Sequence, residues 1–462
     1  MAFSLRQIPD DDKLCQHVAL EVFQDLYPVE RICEILSDSH RWEQRERALN
    51  MVVMMYLVMA LCLFPRHNQV EVLEELAEGY RYVWPHQQVS IPTAGALCYR
   101  RRQLGIIPLR QLLRRTCRPL ATQSTPGAFV QGKRLMVIDG TTQDVADSPA
   151  NALYFGRNTQ GASRSPFPKM RCLYLAECST HAIINAVLAP NRCNEREMMW
   201  GLLPSLEPDM LLTMDRGFFS ALWVQALNNK GVHLLARLQS NMLIHKPLTC
   251  DCLPDGSWLL TISRKRVQGL SQDVRVRIIE YQVREVDLPH FGEKQRLVTT
   301  LLDPVQWSAS ELVALYHERW EVESSIDEYK THLRLSHTPL RSQSPEAAYQ
   351  EMYGLLLAHY AVRTLMFQSA TQGRLDPDRL SFTRAVHVIS RSIGQFGQAP
   401  PQEHGRLKQR LLYDLRHPLL PPRRLRFYAR VVKRPLSRYR RKKPWHQGLS
   451  LKGASFSQIF LI

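Results

Sequence analysis

No carboxylate occurs between Glu78 and Asp139, a stretch that holds ten Lys/Arg, among them the triple Arg100, Arg101 and Arg102. Acids are scarce again from Pro401 to Ile462, where 16 Lys/Arg face only Glu403 and Asp414. The 462-residue chain carries a formal net charge of +17, so the remainder outside these two blocks is net acidic. A basic grip set apart from an acidic centre suits a polyanion-binding protein, with nucleic acid ahead of an anionic membrane surface.

Other absences narrow the class further. There is no Walker-type Gly-rich loop, no nucleophile-elbow serine and no Cys/His pairing, which places a nucleotide cofactor, nucleotide hydrolysis and covalent catalysis low. The ten cysteines are scattered. The close pair Cys250 and Cys252 has no second Cys/His pair at zinc-site spacing. The first residues, MAFSLRQIPDDDKL, lack the charged-then-apolar layout of a secretory signal, and a reducing cytoplasm is the expectation. One long apolar run exists, Ala48 to Phe64, interrupted by Asn50 and stopped by Pro65. It is short for a bilayer and Met-rich, and reads as a buried helix. Hydrophobic content of 45% and charged content of 22% exclude a disordered, collagen-like or coiled-coil chain.

The organisation follows from periodicity. Residues 1–125 read as a helical, DNA-end-binding domain: Ser90 or Thr93 can cap a helix bearing Arg100, Arg101 and Arg102, Gly105 closes it, and a second arginine-rich helix starts near Pro108. Two short helices around a glycine turn, arginines outward, resemble a helix-turn-helix reader of duplex DNA. Pro126 and Gly127 mark a boundary. From Lys133 the order becomes β-β-β-α-β-α-β, an α/β mixed sheet with helices on its faces, within a core spanning 126–370. Residues 239–306 alternate apolar and polar and predict an all-β insertion, with Val274, Val276 and Ile278 opposed to Arg275 and Arg277. Ser308 and Glu311 form a capping box that opens a helix without Gly or Pro until Pro339. Helices resume at 345–370 and 383–394. The region 371–462 ends in a basic tail from Arg406, with Phe427, Tyr428, Tyr439 and Trp445 interleaved and five prolines. It predicts an extended segment for DNA binding or dimerisation.

Chemistry concentrates in YHERWEVESSIDEYK. Tyr316, Arg319, Glu323 and Lys330 recur at steps of three, four and seven, which return to one helix face. A surface ion-pair ladder would have the same spacing. Two further carboxylates, Asp139 after LMVI and Asp215 after LLTM, each end an apolar strand, where open α/β sheets keep their sites. Three such carboxylates can hold two divalent ions, and hard oxygen ligands select Mg²⁺ or Mn²⁺. A two-ion site suits in-line phosphoryl transfer. Asp144 and Asp147 fall in the following loop and are expected to serve turns. Arg216 either contacts DNA or buttresses the sheet, and His332 and His337 read as helix-end residues.

VIDGT, TMDRGF and the Tyr-x2-Arg-x3-Glu-x6-Lys spacing resemble the three acidic motifs of DDE transposases of bacterial insertion sequences, in the insertion-element-four family with its YREK signature. The resemblance covers nearly the whole chain. It implies an RNase H-like core, a metal-binding catalytic triad at Asp139, Asp215 and Glu323, and phosphate contacts from Tyr316, Arg319 and Lys330. It also implies double-stranded DNA as partner, a homodimer in the synaptic complex, a nucleoid-associated cytoplasmic location, and cut-and-paste transposition through a hairpin. A base-stacking aromatic from the β insertion is implied too, with Trp258 as candidate and a core tryptophan as its alternative. The other functions weighed are a metal-dependent nuclease that cuts without joining and a catalytically silent DNA-binding repressor.

Overall fold

The computed structural model describes residues 23, 25–43, 49–83, 92–160, 163–238, 252–282, 294–318, 326, 328–333 and 338–421. After Pro126 the chain turns through β1 (Phe129–Val130), a tight link with Gly132 at φ 79°, and β2 (Lys133–Asp144). A two-stranded ribbon follows, β3 (Thr159–Gln160) with β4 (Ser163–Arg164). The remaining strands are β5 (Lys169–Glu177), β6 (Ile183–Pro190), β7 (Met210–Met214), β8 (His233–Arg237), β9 (Trp258–Ile262), β10 (Val274–Gln282) and β11 (Lys294–Thr299). They hydrogen-bond in the order β6-β5-β2-β7-β8-β11-β10-β9.

Five of these strands form an RNase H-like sheet. β2, β5 and β6 run antiparallel in sequence, and the chain then crosses to lay β7 and β8 parallel to β2. Covered on both faces, a parallel strand must be apolar throughout, and all five residues of β7, MLLTM, are buried. The predicted β insertion continues this same sheet, because β11 pairs antiparallel with β8 and β10 with β9. Its simple alternation fails at Arg277, which is fully buried. The second face of β10 is covered by the chain around Asp255 and Trp307: Arg277 pairs with Asp255, donates to Ser257 Oγ at 2.8 Å and donates to Trp307 O at 2.6 Å.

Helices α1 (Val29–Asp38), α2 (Met51–Ala60), α3 (Gln69–Val83), α4 (Ala94–Leu104) and α5 (Ile107–Thr116) precede the sheet. Between strands come α6 (Pro149–Phe155), α7 (Glu195–Met198) and α8 (Ala221–Asn229). The helix expected over EREMMWGLLPSL shortens to α7 and two 3-10 turns. Pro204 opens the second turn, and Gly201 packs so closely that an added Cβ would lie 2.7 Å from Val187 Cγ2. After β11 come α9 (Ala309–Glu318), α10 (Pro345–Gly373), α11 (Phe382–Gln398) and α12 (His404–Leu415). The last corrects the reading of the tail: residues 404–415 are helical, burying Leu411, Leu412 and Leu415, and the helix ends before Pro418. Phe427, Tyr428, Tyr439 and Trp445 lie outside the described residues.

The apolar run is a buried helix. Every residue of α2 is buried and Asn50 caps it, accepting from Val53 N at 3.0 Å. No helix of the described residues is long and apolar enough to cross a membrane. Helix α2 packs on α10 where Gly354 leaves room: a Cβ there would stand 2.5 Å from Val58 O and 2.8 Å from Val58 Cγ1. The obstacle is partly backbone, so one helix must back away. Gly354→Ala is therefore expected to lower stability by about 1–3 kcal/mol, seen as a fall in the urea midpoint with unchanged slope.

Candidate active site on the central sheet

The site grows out of strand register. In the parallel pair β2/β7, Ile138 lies opposite Met214, the last residue of β7. Asp139 and Asp215 are the next residues on each, so two carboxylates leave neighbouring strands at one level. Adjacent strands lie about 4.8 Å apart, which brings the two backbones within a shared coordination sphere of long side chains. Each carboxylate is steered by the amide after it: Gly140 N donates to Asp139 Oδ1 at 2.9 Å, and Arg216 N to Asp215 Oδ1 at 2.7 Å. Both aspartates are half-buried, each following a run of buried apolar strand residues.

Lys330 belongs to the same place. Its ammonium donates to Thr141 Oγ1, and to Thr142 O at 3.1 Å. Side chains alternate along a strand, so Thr141 stands on the same face of β2 as Asp139. The segment carrying Lys330 thus crosses the face that bears the first carboxylate. Tyr316 sits near the end of α9, is 6% exposed and belongs to the core. Helix α9 opens with the expected capping box: Glu311 N donates to Ser308 Oγ at 3.3 Å and Ser308 N to Glu311 Oε2 at 3.2 Å. Arg319 and Glu323 lie outside the described residues, as do His337 and the side chain of His332. Among the described residues no three His, Cys, Asp or Glu gather as a metal site. The two aspartates supply only hard oxygen donors, the set that suits Mg²⁺ or Mn²⁺.

Two expectations are corrected by burial. Arg100 and Arg101 are 6% and 8% exposed and have partners inside the protein. Arg100 pairs with Glu43 at 2.5 Å and donates to Leu49 O at 2.9 Å; Arg101 donates to Gln350, Gln69 and Ala347 O at 3.2–3.3 Å. Of the triple, Arg102 alone is exposed, together with Arg110, Arg114, Arg115 and Arg118 further on. Thr93 is the cap of α4, accepting from Ala96 N at 3.3 Å, and Gly105 closes the helix at φ 68°. Trp258 is 1% exposed in β9, the core reading of that residue, and a base cannot stack on a ring enclosed by protein. Asp144 and Asp147 pair with Lys169 and Arg157, which accounts for both without a ligand role.

Sequence reasoning missed a buttress behind the aspartates. Asn194 caps α7, accepting from Arg196 N at 3.0 Å. The Glu195 carboxylate lies where a Cβ on Gly140 would come within 3.1–3.2 Å, and pairs with Arg171 at 2.6 Å. Arg196 Nε donates to Gly217 O at 2.7 Å, two residues beyond Asp215. One short helix therefore touches the chain next to each carboxylate. The signal was present only as adjacency of opposite charges in NEREM, which has no periodicity to mark it.

Comparison with known proteins agrees with this geometry. The family described as Transposase DDE domain matches residues 130–361, and that described as Insertion element 4 transposase N-terminal matches residues 17–114. The chain is 26% identical over 436 residues to the transposase InsG for insertion sequence element IS4 of Escherichia coli K12, covering 91% of this chain and 92% of that one. It is 25% identical over 224 residues to the putative transposase InsZ of the same organism, covering 48% and 72%. A solved piggyBac transposase synaptic complex with hairpin DNA aligns at TM-score 0.47 and 13% identity, covering 89% of this chain and 86% of that one. The DDE match takes in both strand-end aspartates and the segment that reaches β2 through Lys330, and the N-terminal match covers the arginine-bearing helices. The chain belongs to the insertion-element-four family of DDE transposases, DNA-binding enzymes that carry out transposition with divalent metal ions.

Proposed function

We propose that Asp139, Asp215 and Glu323 are the catalytic carboxylates of this transposase and together hold two Mg²⁺ ions, or Mn²⁺ in their place. The observation that carries the reading is the register of β2 and β7, which brings Asp139 and Asp215 to one level beside the segment anchored by Lys330. Bound divalent ions supply charge neutralisation at phosphorus and activation of the attacking oxygen. The chain's own residues do the rest. Asp139 and Asp215 bring negative charge to the ends of two central strands. Lys330 and Arg319 hold DNA phosphates by charge-assisted hydrogen bonds, and Tyr316, its ring packed in the core near the end of α9, adds a phosphate contact through its hydroxyl. The exposed arginines of α4 and α5, Arg102, Arg110 and Arg114, with Arg118 just beyond α5, grip the element's inverted ends, with the basic region after Arg406 as a second grip.

The reaction at those ends is a series of displacements at phosphorus: water nicks the end, the freed 3′ hydroxyl closes a hairpin, water reopens it, and the 3′ hydroxyl joins target DNA. One site serves all four because only the attacking oxygen changes. Two copies of the chain pair the two ends in the synaptic complex. The test incubates the full chain with Mg²⁺ and labelled linear DNA bearing candidate ends. Hairpin and joined species are the expected products; nicks without either would overturn the transposition path in favour of a nuclease. Lys330→Ala should weaken the end-specific complex and lower its salt slope by about one, read by footprinting across a salt titration.

A further inference from the structure

A buried ionic cluster ties the Lys330 segment to the body of the protein, and it has no part in the chemistry described so far. Residues Glu328–Leu333 form a π-helical turn, and Glu328 is 7% exposed. Arg363 on α10 grips its carboxylate with both arms of the guanidinium, through Nε to Oε2 at 2.8 Å and through a terminal nitrogen to Oε1. His359, one turn earlier on α10, places Nε2 3.1 Å from Oε2. His181, in the turn between β5 and β6, accepts from Arg363 at Nδ1, 2.6 Å away. Its Nε2 lies 3.5 Å from Asp378 Oδ1. His181, His359 and Arg363 are at most 3% exposed. Burial pushes His359 down to about 3, so it is neutral and donates Nε2–H to the carboxylate.

Burying such a group is an expensive way to gain stability, because desolvation offsets most of the attraction and apolar packing would serve as well. What a forked guanidinium and an imidazole supply is direction: a carboxylate held by Arg363 and His359, with His181 in turn holding the guanidinium, has one position. The turn so held is a π-helix, a rare form that concentrates at functional sites. Glu328 follows Glu323 by five residues and precedes Lys330 by two. We propose that Glu328 is a positioning residue for transposition, fixing through Arg363, His359 and His181 where Glu323 and Lys330 stand relative to Asp139 and Asp215. The inference rests on the reading of Glu323 as the third acid.

The test compares the full-length wild-type chain with Glu328→Gln, with the charge-neutral double variant Glu328→Gln/Arg363→Gln, and with Glu323→Ala. Nicking of labelled end DNA is followed at saturating DNA over a Mg²⁺ titration, beside thermal melting and end binding. Glu328→Gln keeps the side chain's size and loses the charge that orders the fork. Its nicking rate should fall by about 10–100-fold and its half-saturating Mg²⁺ should rise about tenfold, with end binding weakened less than by Lys330→Ala because the ammonium itself is kept. The double variant, free of an unpaired buried arginine, should melt closer to wild type yet remain equally impaired. A purely structural role would lower the folded fraction and leave the half-saturating Mg²⁺ where it is; that outcome, or wild-type cutting by Glu328→Gln, overturns the proposal. Cutting by Glu323→Ala would instead remove the reading beneath it, whereas an inactive Glu323→Ala beside a wild-type Glu328→Gln removes the positioning role alone.

Discussion

Asp215→Ala is expected to abolish Mg²⁺-dependent cutting of transposon ends while the protein still folds and binds them. The carboxylate stands one residue beyond the last residue of β7 and is half-buried, so its removal leaves no cavity and strips no core residue of its packing. The carboxylate accepts locally from Arg216 N, and the turn beneath is kept by Phe218 N donating to Asp215 O at 3.1 Å. Stability should therefore move by less than about 1 kcal/mol. The chemical step should lose at least about 10³-fold, or about 4 kcal/mol of transition-state stabilisation, as expected when preorganised charge at a phosphoryl-transfer site is removed. Asp139→Asn makes the same point with shape preserved: the amide oxygen can still accept from Gly140 N, so its loss of cutting isolates the negative charge. Denaturing gels of labelled DNA read the cutting, mobility shifts the binding, and thermal melting the fold. Mg²⁺-dependent nicks persisting in both variants would remove the aspartates from the chemistry.

How much of this is legible in the sequence depends on whether the signal is local. LMVID and LLTMD could be read because a buried parallel strand must be apolar and its carboxylate can come only at the end; the register that makes Asp139 and Asp215 neighbours is set by the pairing of β2 with β7 and is not written in either segment. The steps of three, four and seven marked Lys330 for the same reason, as a property of one segment. Burial of charge is different in kind. Nothing in GALCYRRRQL distinguishes Arg100 from Arg102, because the distinction lies in Glu43, 57 residues away in sequence. Arg277 looked like the polar phase of an amphipathic strand, and only the chain around Asp255 and Trp307, folded over β10, makes that phase an interior. Trp258 and the Glu195–Arg171 buttress fail the same way. Each is defined by what the sheet order brings against it, and spacing within a segment carries no record of that.

Arg100→Ala is expected to cost stability, where the string of arginines would lead one to expect a loss of DNA affinity. The side chains of Arg100 and Glu43 are 7% and 6% exposed, and the guanidinium also donates to Leu49 O at 2.9 Å and Gln103 Oε1 at 2.6 Å. Burial already raises the carboxyl of Glu43 from its ordinary value against the pull of Arg100, so that carboxylate depends on its partner to stay charged. Deleting the arginine leaves a buried acid and a backbone carbonyl without their donor, a loss of about 3–5 kcal/mol by analogy with other broken buried pairs. Glu43 should then take up a proton more readily, so the variant loses further stability as pH rises through the raised carboxyl range and charges the orphaned acid, a steeper slope than that of the wild type, where burial already raises Glu43. Arg102, exposed two residues on, should behave in the opposite way. Arg102→Ala should leave melting within about 0.5 kcal/mol and weaken end binding in a salt-dependent manner, since a phosphate contact is a counterion-release contact. Denaturant titrations and mobility shifts on both variants, run side by side, separate the two roles. A stable Arg100→Ala with weakened DNA binding would mean that this guanidinium faces DNA and that Glu43 holds nothing.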